Sequence, residues 1–337
     1  MKAYLLKSHG KPESLKITEV EEPRVKKGHV KIKVKILGLN YAEILSRKGQ
    51  YNWAPKKPYV PGMEGFGEII EIGDGVQSVK VGDEVIFGTQ FGAYAEYVSV
   101  PEYMAFKKIA EFSDEENAAY LVNFMTAWIS LINMCRMKPS DKVLIQAAAG
   151  GVGTAAVQIA KKYGCKVFGT AGNDEKLKLL DDLGIDLAIN YRSADFYKIL
   201  KEKEGGVDIV LEVVGGDVFK KSIELLNPFG RLIVTGYASI PLVRWNPWTW
   251  WLTWKHAPKV NIMKMAQGSY GILASHIGYL IENREVVHQN WNEMKEFVLK
   301  HDIRPIVGAV YNFDEMAQAH SFIESRQSHG KVLVKVA

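Results

Sequence analysis

Residues 141–153 read DKVLIQAAAGGVG. The spacing fits G-x-G-x-x-G, with Ala148 in the first glycine's place, Gly150 in the second and Gly153 in the third. A glycine at 150 lets the backbone approach a pyrophosphate, and one at 153 lets a following helix lie close on its sheet. The run Val143-Leu144-Ile145 before the turn has strand character, and residues 154–162 (TAAVQIAKK) after it have helix character. Strand, Gly-rich turn and helix in that order are what dinucleotide binding requires. The amides at the helix N-terminus would then face anionic phosphates. The competing reading is an ordinary Gly-rich strand-to-helix turn. A dinucleotide site with a second domain beside it implies hydride transfer, with substrate between the two.

Which dinucleotide is read from the next strand end. An Asp or Glu about 20 residues past the fingerprint bonds the ribose 2′-hydroxyl of NAD. Here that strand ends in Gly169-Thr170-Ala171-Gly172, small and neutral. Lys176, Tyr191 and Arg326 follow as cations or donors, which suits a 2′-phosphate and therefore NADPH. Asp174 and Glu175 are the contrary signal, yet acids in the first turn of a helix account for them.

A catalytic zinc needs three ligands drawn from Cys, His and acid. The 8 His are scattered, and Cys135 and Cys165, the only two cysteines, have no neighbouring ligand. We therefore expect no metal, and the cysteines read as core thiols. Without a Lewis acid, charge building on a carbonyl oxygen must be met by hydrogen bonds alone. Quinones and enones spread that charge over more atoms and are the natural acceptors for such a site.

The elements that must position these residues change in texture along the chain. At 337 residues, two domains of ordinary size are expected. A hydrophobic content of 47% and a charged content of 24% belong to a globular protein with a sizeable core. The net charge of +5 permits an anionic ligand, but no dense Lys/Arg run with interleaved aromatics points to nucleic acid. No signal-peptide pattern or long apolar run is seen, so a cytoplasmic location is expected. Residues 1–110 read as short strands between turns: 31–36 alternate charged and apolar, 62–75 carry strand character between glycine-rich ends, 81–87 give a turn and then a strand, and 93–100 another. Ser113 followed by Asp114-Glu115-Glu116 marks a helix start, with the helix running through residues 118–135 to Pro139. Beyond the fingerprint, the apolar runs 167–170, 187–189, 207–213 and 232–234 read as strands buried on both faces. Helix candidates 174–183, 193–203 and 217–226 lie between them. This alternation predicts a doubly wound parallel sheet. Residues 245–254 hold five of the 8 Trp and could cover an apolar site, sit in an interface or touch a membrane surface; ordinary packing between domains is the plain alternative. Residues 272–277 read as another strand and 291–300 as a helix. The closing Val332-Leu333-Val334 reads as a strand returning to the N-terminal domain.

Several motifs together resemble the zinc-free quinone oxidoreductase branch of the medium-chain dehydrogenase/reductase superfamily, essentially end to end. They are Gly38-Leu39-Asn40-Tyr41-Ala42-Glu43, Arg47 with Gly49 and Tyr51, Pro61-Gly62-Met63-Glu64-Gly65-Phe66-Gly67 and Val81-Gly82-Asp83-Glu84-Val85. Ala147 to Gly153, Asn190-Tyr191-Arg192, Glu324-Ser325-Arg326 and Gly330-Lys331-Val332 complete the set. The Trp-rich segment and residues 275–280 look more like the vesicle amine transport protein subgroup. The resemblance implies an α/β chain: a Rossmann NADP(H)-binding domain, residues 123–274, inserted into a mostly-β GroES-like catalytic domain, residues 1–122 and 275–337. Zinc-dependent relatives carry Cys where Asn40 stands and His where Met63 stands. By similarity, Asn40, Tyr41 and Tyr51 line the nicotinamide and substrate side, and Asn40 also counts among the cofactor contacts. Thr126, Gly150, Gly151, Val152 and Gly153 would hold the pyrophosphate and its neighbours, and Thr170 and Gly172 are counted among the cofactor contacts. Lys176, Tyr191 and Arg326 match the 2′-phosphate end, and Gly236 and Tyr237 pass close to the cofactor. The family is commonly a homodimer paired through the last Rossmann strand. Two departures are Gln146, where many relatives have His, and Glu212, where many have Asp.

The expected function is NADPH-dependent reduction of quinones or related conjugated carbonyls, with Asn40 and Tyr41 orienting the acceptor and solvent or a Tyr supplying protons. One alternative is reduction of an alkenal or enoyl-thioester double bond. Another, of a different class, is an NADPH-binding scaffold or lipid or RNA binder without turnover.

Overall fold

The structure, a computed structural model, describes residues 1–236 and 260–336. Tyr237 and the Trp-rich residues 245–254 lie outside the described residues. The chain divides into two compact units. One comprises Met1–Val122, Leu280–His288 and Arg304–Ala337, the other Asn123–Tyr279 and Gln289–Ile303. Residues 275–279 and 289–303, expected with the catalytic domain, thus lie with the second unit.

In the first unit, β1 (Lys2–Tyr4) and β2 (Ile17–Glu19) form an antiparallel pair. The long β3 (His29–Leu39) buries Val30, Ile32 and Val34 and exposes Lys33, as alternation requires, but Lys31 departs from it: that lysine is buried with its Nζ on the Glu22 carboxylate. From Ile36 to Leu39 it is buried throughout. It leads into α1 (Tyr41–Lys48), a short helix that the strand-rich reading of residues 1–110 did not anticipate. Asn40 and Glu43 form a reciprocal capping box at its start, and Gly49, at φ 74°, ends it. β4 (Glu64–Ile72), β5 (Glu84–Gly88), β6 (Tyr97–Pro101) and β7 (Ala105–Lys107) follow, then α2 (Asp114–Trp128), which continues as a π-helical turn over Ile129–Met134.

The second unit alternates strand and helix. It contains β8 (Lys142–Ile145), α3 (Gly151–Lys162), β9 (Lys166–Ala171), α4 (Asp174–Asp182), β10 (Leu187–Asn190) and α5 (Phe196–Glu204). β11 (Val207–Glu212), α6 (Gly216–Glu224), β12 (Leu226–Val234), α7 (Ile262–Gly268) and β13 (Gly271–Ala274) complete the series. Every pairing in this sheet is parallel, in the order β10-β9-β8-β11-β12-β13. That is the doubly wound order, with β8 central and the order of strand addition reversing beside it. Leu144, Phe168, Leu200, Val210, Phe219 and Leu232 are buried between sheet and helices, each removing side-chain surface worth about 1.5–3 kcal/mol from water.

α8 (Arg284–Lys300) precedes β14 (Val307–Asn312), α9 (Met316–Glu324) and β15 (Lys331–Lys335). β15 pairs antiparallel with β3, Leu333 opposite Gly38, and parallel with β14. The C-terminal strand thus completes the first unit's seven-stranded sheet, which runs β14-β15-β3-β4-β5-β7 with β6 also on β3. The fold is a GroES-like unit plus a Rossmann unit.

Candidate functional site

In the second unit the fingerprint turn leaves β8 at Ile145 and enters α3 at Gly151, with Gly150 as the N-cap residue. Gly150 has no side chain to accept from the first-turn amides, so those donors are available to an anion. A Cβ at Gly153 would stand 2.5 Å from the Ala148 carbonyl oxygen and 2.6 Å from that of Ala147, and neither backbone atom can give way. A Cβ at Gly151 would stand 2.5 Å from the Asn123 side chain, whereas at Gly150 the nearest atom is 3.3 Å away. The residue with left-handed backbone is Ala147, at φ 52°, one position before the alanine aligned with the first glycine. Its N–H donates to Thr170 Oγ1 at 3.2 Å, which holds the turn against β9.

Thr170, only 2% exposed, is committed inward. Its hydroxyl donates to Gln146 Oε1 at 2.7 Å, and Gln146 Nε2 donates to Ser222 Oγ at 3.1 Å. The Glu212 carboxylate accepts from the Val214 and Gly215 amides at 2.6 and 2.8 Å. Burial raises the Glu212 pKa against these bonds. Of the two departures from the family pattern, Gln146 ties the end of β8 to β9 and to α6, and Glu212 holds the turn that leads into α6.

At the end of β9, a Cβ on Gly172 would lie 2.6 Å from the Tyr191 hydroxyl, so the glycine makes room for that ring. Tyr191 itself is largely exposed. Lys176 sits in the first turn of α4, whose N-cap Asn173 accepts from the Lys176 amide at 2.9 Å. Burial, and then the Arg192 guanidinium, lower the Lys176 pKa. Two cations and a phenol thus gather at one strand end, with Asp174 and Glu175 in the first helical turn beside them. Thr126 lies partly buried on α2. A Cβ on Gly236 would meet nothing nearer than the Val213 carbonyl oxygen at 3.6 Å.

The remaining predicted residues lie in the first unit. Tyr41 opens α1 and is partly buried. Desolvation raises its pKa, against the Arg326 charge, so its hydroxyl stays protonated at neutral pH. Arg326 follows α9 with left-handed backbone, φ 58°. Tyr51 packs edge-on against Trp53, ring centroids 6.4 Å apart. The structure therefore groups Tyr41 with Arg326, and Lys176 with Tyr191 and Arg192, in separate units.

Asn40 stands in a buried ionic cluster. Its Nδ2 donates to Glu64 Oε1 at 3.0 Å, and its Oδ1 accepts from Lys331 Nζ at 2.7 Å. Lys331 also donates to Glu64, with both side chains about 2% exposed or less. The other Glu64 oxygen accepts from the Val122 amide at 2.9 Å. Glu43 accepts from the backbone N–H groups of Asn40 and Met63. Fully buried and close to Glu64, its carboxyl is pushed up to about 7, chiefly by desolvation. Glu43, Glu64 and Lys331 lie within the motifs noted in the sequence without a role assigned. The Asn-x-x-Glu capping pattern was the one local signal that pointed to Glu43. An ammonium on the Asn40 oxygen and a thioether at Met63 do not make a zinc donor set. Among the described residues no group of three His, Cys, Asp or Glu could hold a metal ion.

Deeper in the same unit, Tyr94 and His320 pair at 3.0 Å, both fully buried. Burial drives the His320 pKa down to about 3, with the Arg47 charge adding to it. Cys135 and Cys165 are free and buried, and burial raises both thiols to about 12, so they are inert.

Residues 26–110 match the family described as alcohol dehydrogenase GroES-like domain, and residues 151–257 that described as zinc-binding dehydrogenase. The chain is 32% identical over 337 residues to the synaptic vesicle membrane protein VAT-1 homolog of Danio rerio, covering 99% of this chain and 69% of that protein. It is 30% identical to quinone oxidoreductase-like protein 2 of Mus musculus, covering 96% of this chain and 89% of that one. The Escherichia coli quinone oxidoreductase solved in complex with NADPH superposes with a TM-score of 0.88 at 28% identity, over the full length of both chains. A Rossmann unit with a Gly-rich turn, a GroES-like unit completed by its C-terminal strand, and these likenesses together show that the chain belongs to the zinc-free quinone oxidoreductase branch of the medium-chain dehydrogenase/reductase superfamily.

Proposed function

We propose that this protein is an NADPH-dependent oxidoreductase that reduces quinones or related conjugated carbonyls without zinc. The observation that carries the reading is the strand end of β9. There a half-buried lysine is destabilised as a cation by burial and by Arg192, beside Tyr191. A dianionic phosphate is the natural complement of that arrangement, and a bare ribose hydroxyl is not. The NADPH complex of the related Escherichia coli enzyme supports the same choice.

The residues fit such a cofactor. Gly151 and Gly153 leave the turn without side chains, and the α3 amides would hold the pyrophosphate, with Thr126 and Gly236 beside it. Lys176 and Tyr191, with Arg192 beside them, would hold the 2′-phosphate; Arg326, expected at that end from the sequence, lies with Tyr41 in the first unit. When bound, NADPH supplies the hydride. Asn40 and Tyr51 would line the acceptor side, and the Tyr41 hydroxyl, protonated at neutral pH, can donate to the acceptor's oxygen. We place the cofactor on the unit of residues 123–279 and 289–303 and the substrate on the other unit. A homodimer through the β13 edge is supported by the exposure of Phe229, Ile262 and Met263. No helix among the described residues is long and apolar enough to cross a membrane, and we assign the protein to the cytoplasm.

A second reading, a cofactor-binding protein that acts at membranes without turnover, draws on the likeness to a synaptic vesicle membrane protein. The test of both is NADPH oxidation, run beside NADH, with benzoquinone, phenanthrenequinone and hexenal. Quinone turnover with NADPH well above NADH is expected. Turnover of hexenal alone would move the assignment to double-bond reduction, and tight NADPH binding without any turnover would favour the second reading.

A further inference from the structure

The cluster around Lys331 is not used directly by the proposed reaction. Two carboxylates and one ammonium are held where water does not reach. Replacing a buried ion pair by apolar side chains is often neutral or stabilising, so stability alone does not explain its presence. What the cluster holds is Asn40. Lys331 donates to the amide oxygen, and Glu64 takes one of the amide hydrogens. Turning the amide over would set its NH2 against an ammonium and its oxygen against a carboxylate, so one orientation is enforced. The other contacts of Nδ2, to Gly38 O and Glu43 Oε1, are long at 3.5 and 3.4 Å. The second amide hydrogen is thus weakly held. The Asn40 backbone is fixed separately by Glu43, which also ties down Met63. Gly38 is required by the same cluster. A Cβ there would stand 2.8 Å from Lys331 Cε, 3.0 Å from Glu64 Cγ and 2.7 Å from the Ala118 carbonyl oxygen.

We propose that Lys331 and Glu64 are positioning residues that fix the orientation of the Asn40 amide so that its second N–H is presented to the acceptor. The inference rests on the proposed reductase reading. Polarisation of the Asn40 oxygen by the ammonium strengthens that N–H as a donor. The influence of the ammonium thereby reaches the acceptor through one amide.

The test is a double-mutant cycle on kcat with phenanthrenequinone and NADPH. Lys331→Met alone would strand a buried carboxylate, so it is paired with Glu64→Gln, and the pair is made with and without Asn40→Ala. The expected result is a tenfold or greater loss of kcat in Glu64→Gln/Lys331→Met, with the quinone KM, the NADPH Kd and the Tm near wild type. In the Asn40→Ala background the pair should cost no further kcat. Equal losses in both backgrounds, or an unchanged kcat, would overturn the proposal and leave the pair a structural element. If the pair does not fold, the isosteric Glu64→Gln alone is run through the same cycle, with the same two outcomes. A wild-type protein that does not reduce the quinone would remove the reductase reading itself. Failure of the cycle in an active enzyme removes only this inference.

Discussion

Gly172→Ala should convert a change of one methyl group into a loss of cofactor discrimination. The new Cβ would lie 2.6 Å from the Tyr191 hydroxyl oxygen and 2.9 Å from Cζ. Ordinary contact begins near 3.4 Å, so the ring must move by roughly 0.8 Å. Tyr191 is 44% exposed and can swing outward, so stability should change by no more than about 0.5 kcal/mol. The phenol would leave the place proposed for it at the 2′-phosphate. A hydrogen bond to a charged group contributes about 1.5–3 kcal/mol, or roughly 10- to 150-fold in affinity. The Kd for NADPH should therefore rise at least about tenfold, while that for NADH, which lacks the phosphate, stays within about twofold. Calorimetric titration of both cofactors into wild type, Gly172→Ala, Tyr191→Phe and the double variant measures this. Tyr191→Phe should reproduce the loss, and the double variant should add little to it. Equal weakening of NADPH and NADH, or no change for either, would refute the reasoning.

Three further outcomes follow from the same geometry. Gly153→Ala sets a Cβ against two backbone carbonyls, so it should destabilise by about 1–3 kcal/mol, read as a lowered Tm of the apoprotein. His320, with its pKa near 3 in the fold against an ordinary 6.5, contributes stability that is present above pH 6.5 and lost as pH falls toward 3. Wild type should therefore lose about 1.4 kcal/mol per pH unit through that window, a slope that His320→Asn should remove in urea titrations. Glu43 works in the opposite sense. Raised from 4.5 to about 7, it contributes stability that is present below pH 4.5 and lost as pH rises through 7, and Glu43→Gln should flatten that decline. Parallel pH–stability curves for wild type and either variant would contradict the burial that sets these values.

The Rossmann unit was legible because its strands are buried on both faces. Val143-Leu144-Ile145 and residues 207–213 announce themselves as unbroken apolar runs, and the observed strands fall within a residue or two of them. α1 was not legible in the same way. Its eight residues make little more than two turns, too short a window for a helical period to stand out, and the surrounding alternation favoured strands. The Asn40-x-x-Glu43 pattern with Gly49 marked both ends nonetheless. Lys331 was the hardest to place. In KVLVK it reads as a solvent-facing strand residue, and its inward turn depends on Glu64, 267 positions away, and on the pairing of β15 with β3. No local pattern encodes that contact. The turn itself differed by one position from the aligned motif: Ala147, rather than the residue in the first glycine's place, takes the left-handed conformation, secured by Thr170. Thr170, read from sequence as a cofactor neighbour, has its hydroxyl occupied by Gln146 and the Ala147 amide.

The central claim is tested most directly by steady-state oxidation of NADPH and NADH by phenanthrenequinone, run side by side in wild type and Lys176→Met. The account predicts kcat/KM at least about tenfold higher for NADPH, with the advantage falling sharply in Lys176→Met because a charged partner of the phosphate is lost. Equal use of the two cofactors by wild type, or a preference for NADPH untouched by Lys176→Met, would contradict it.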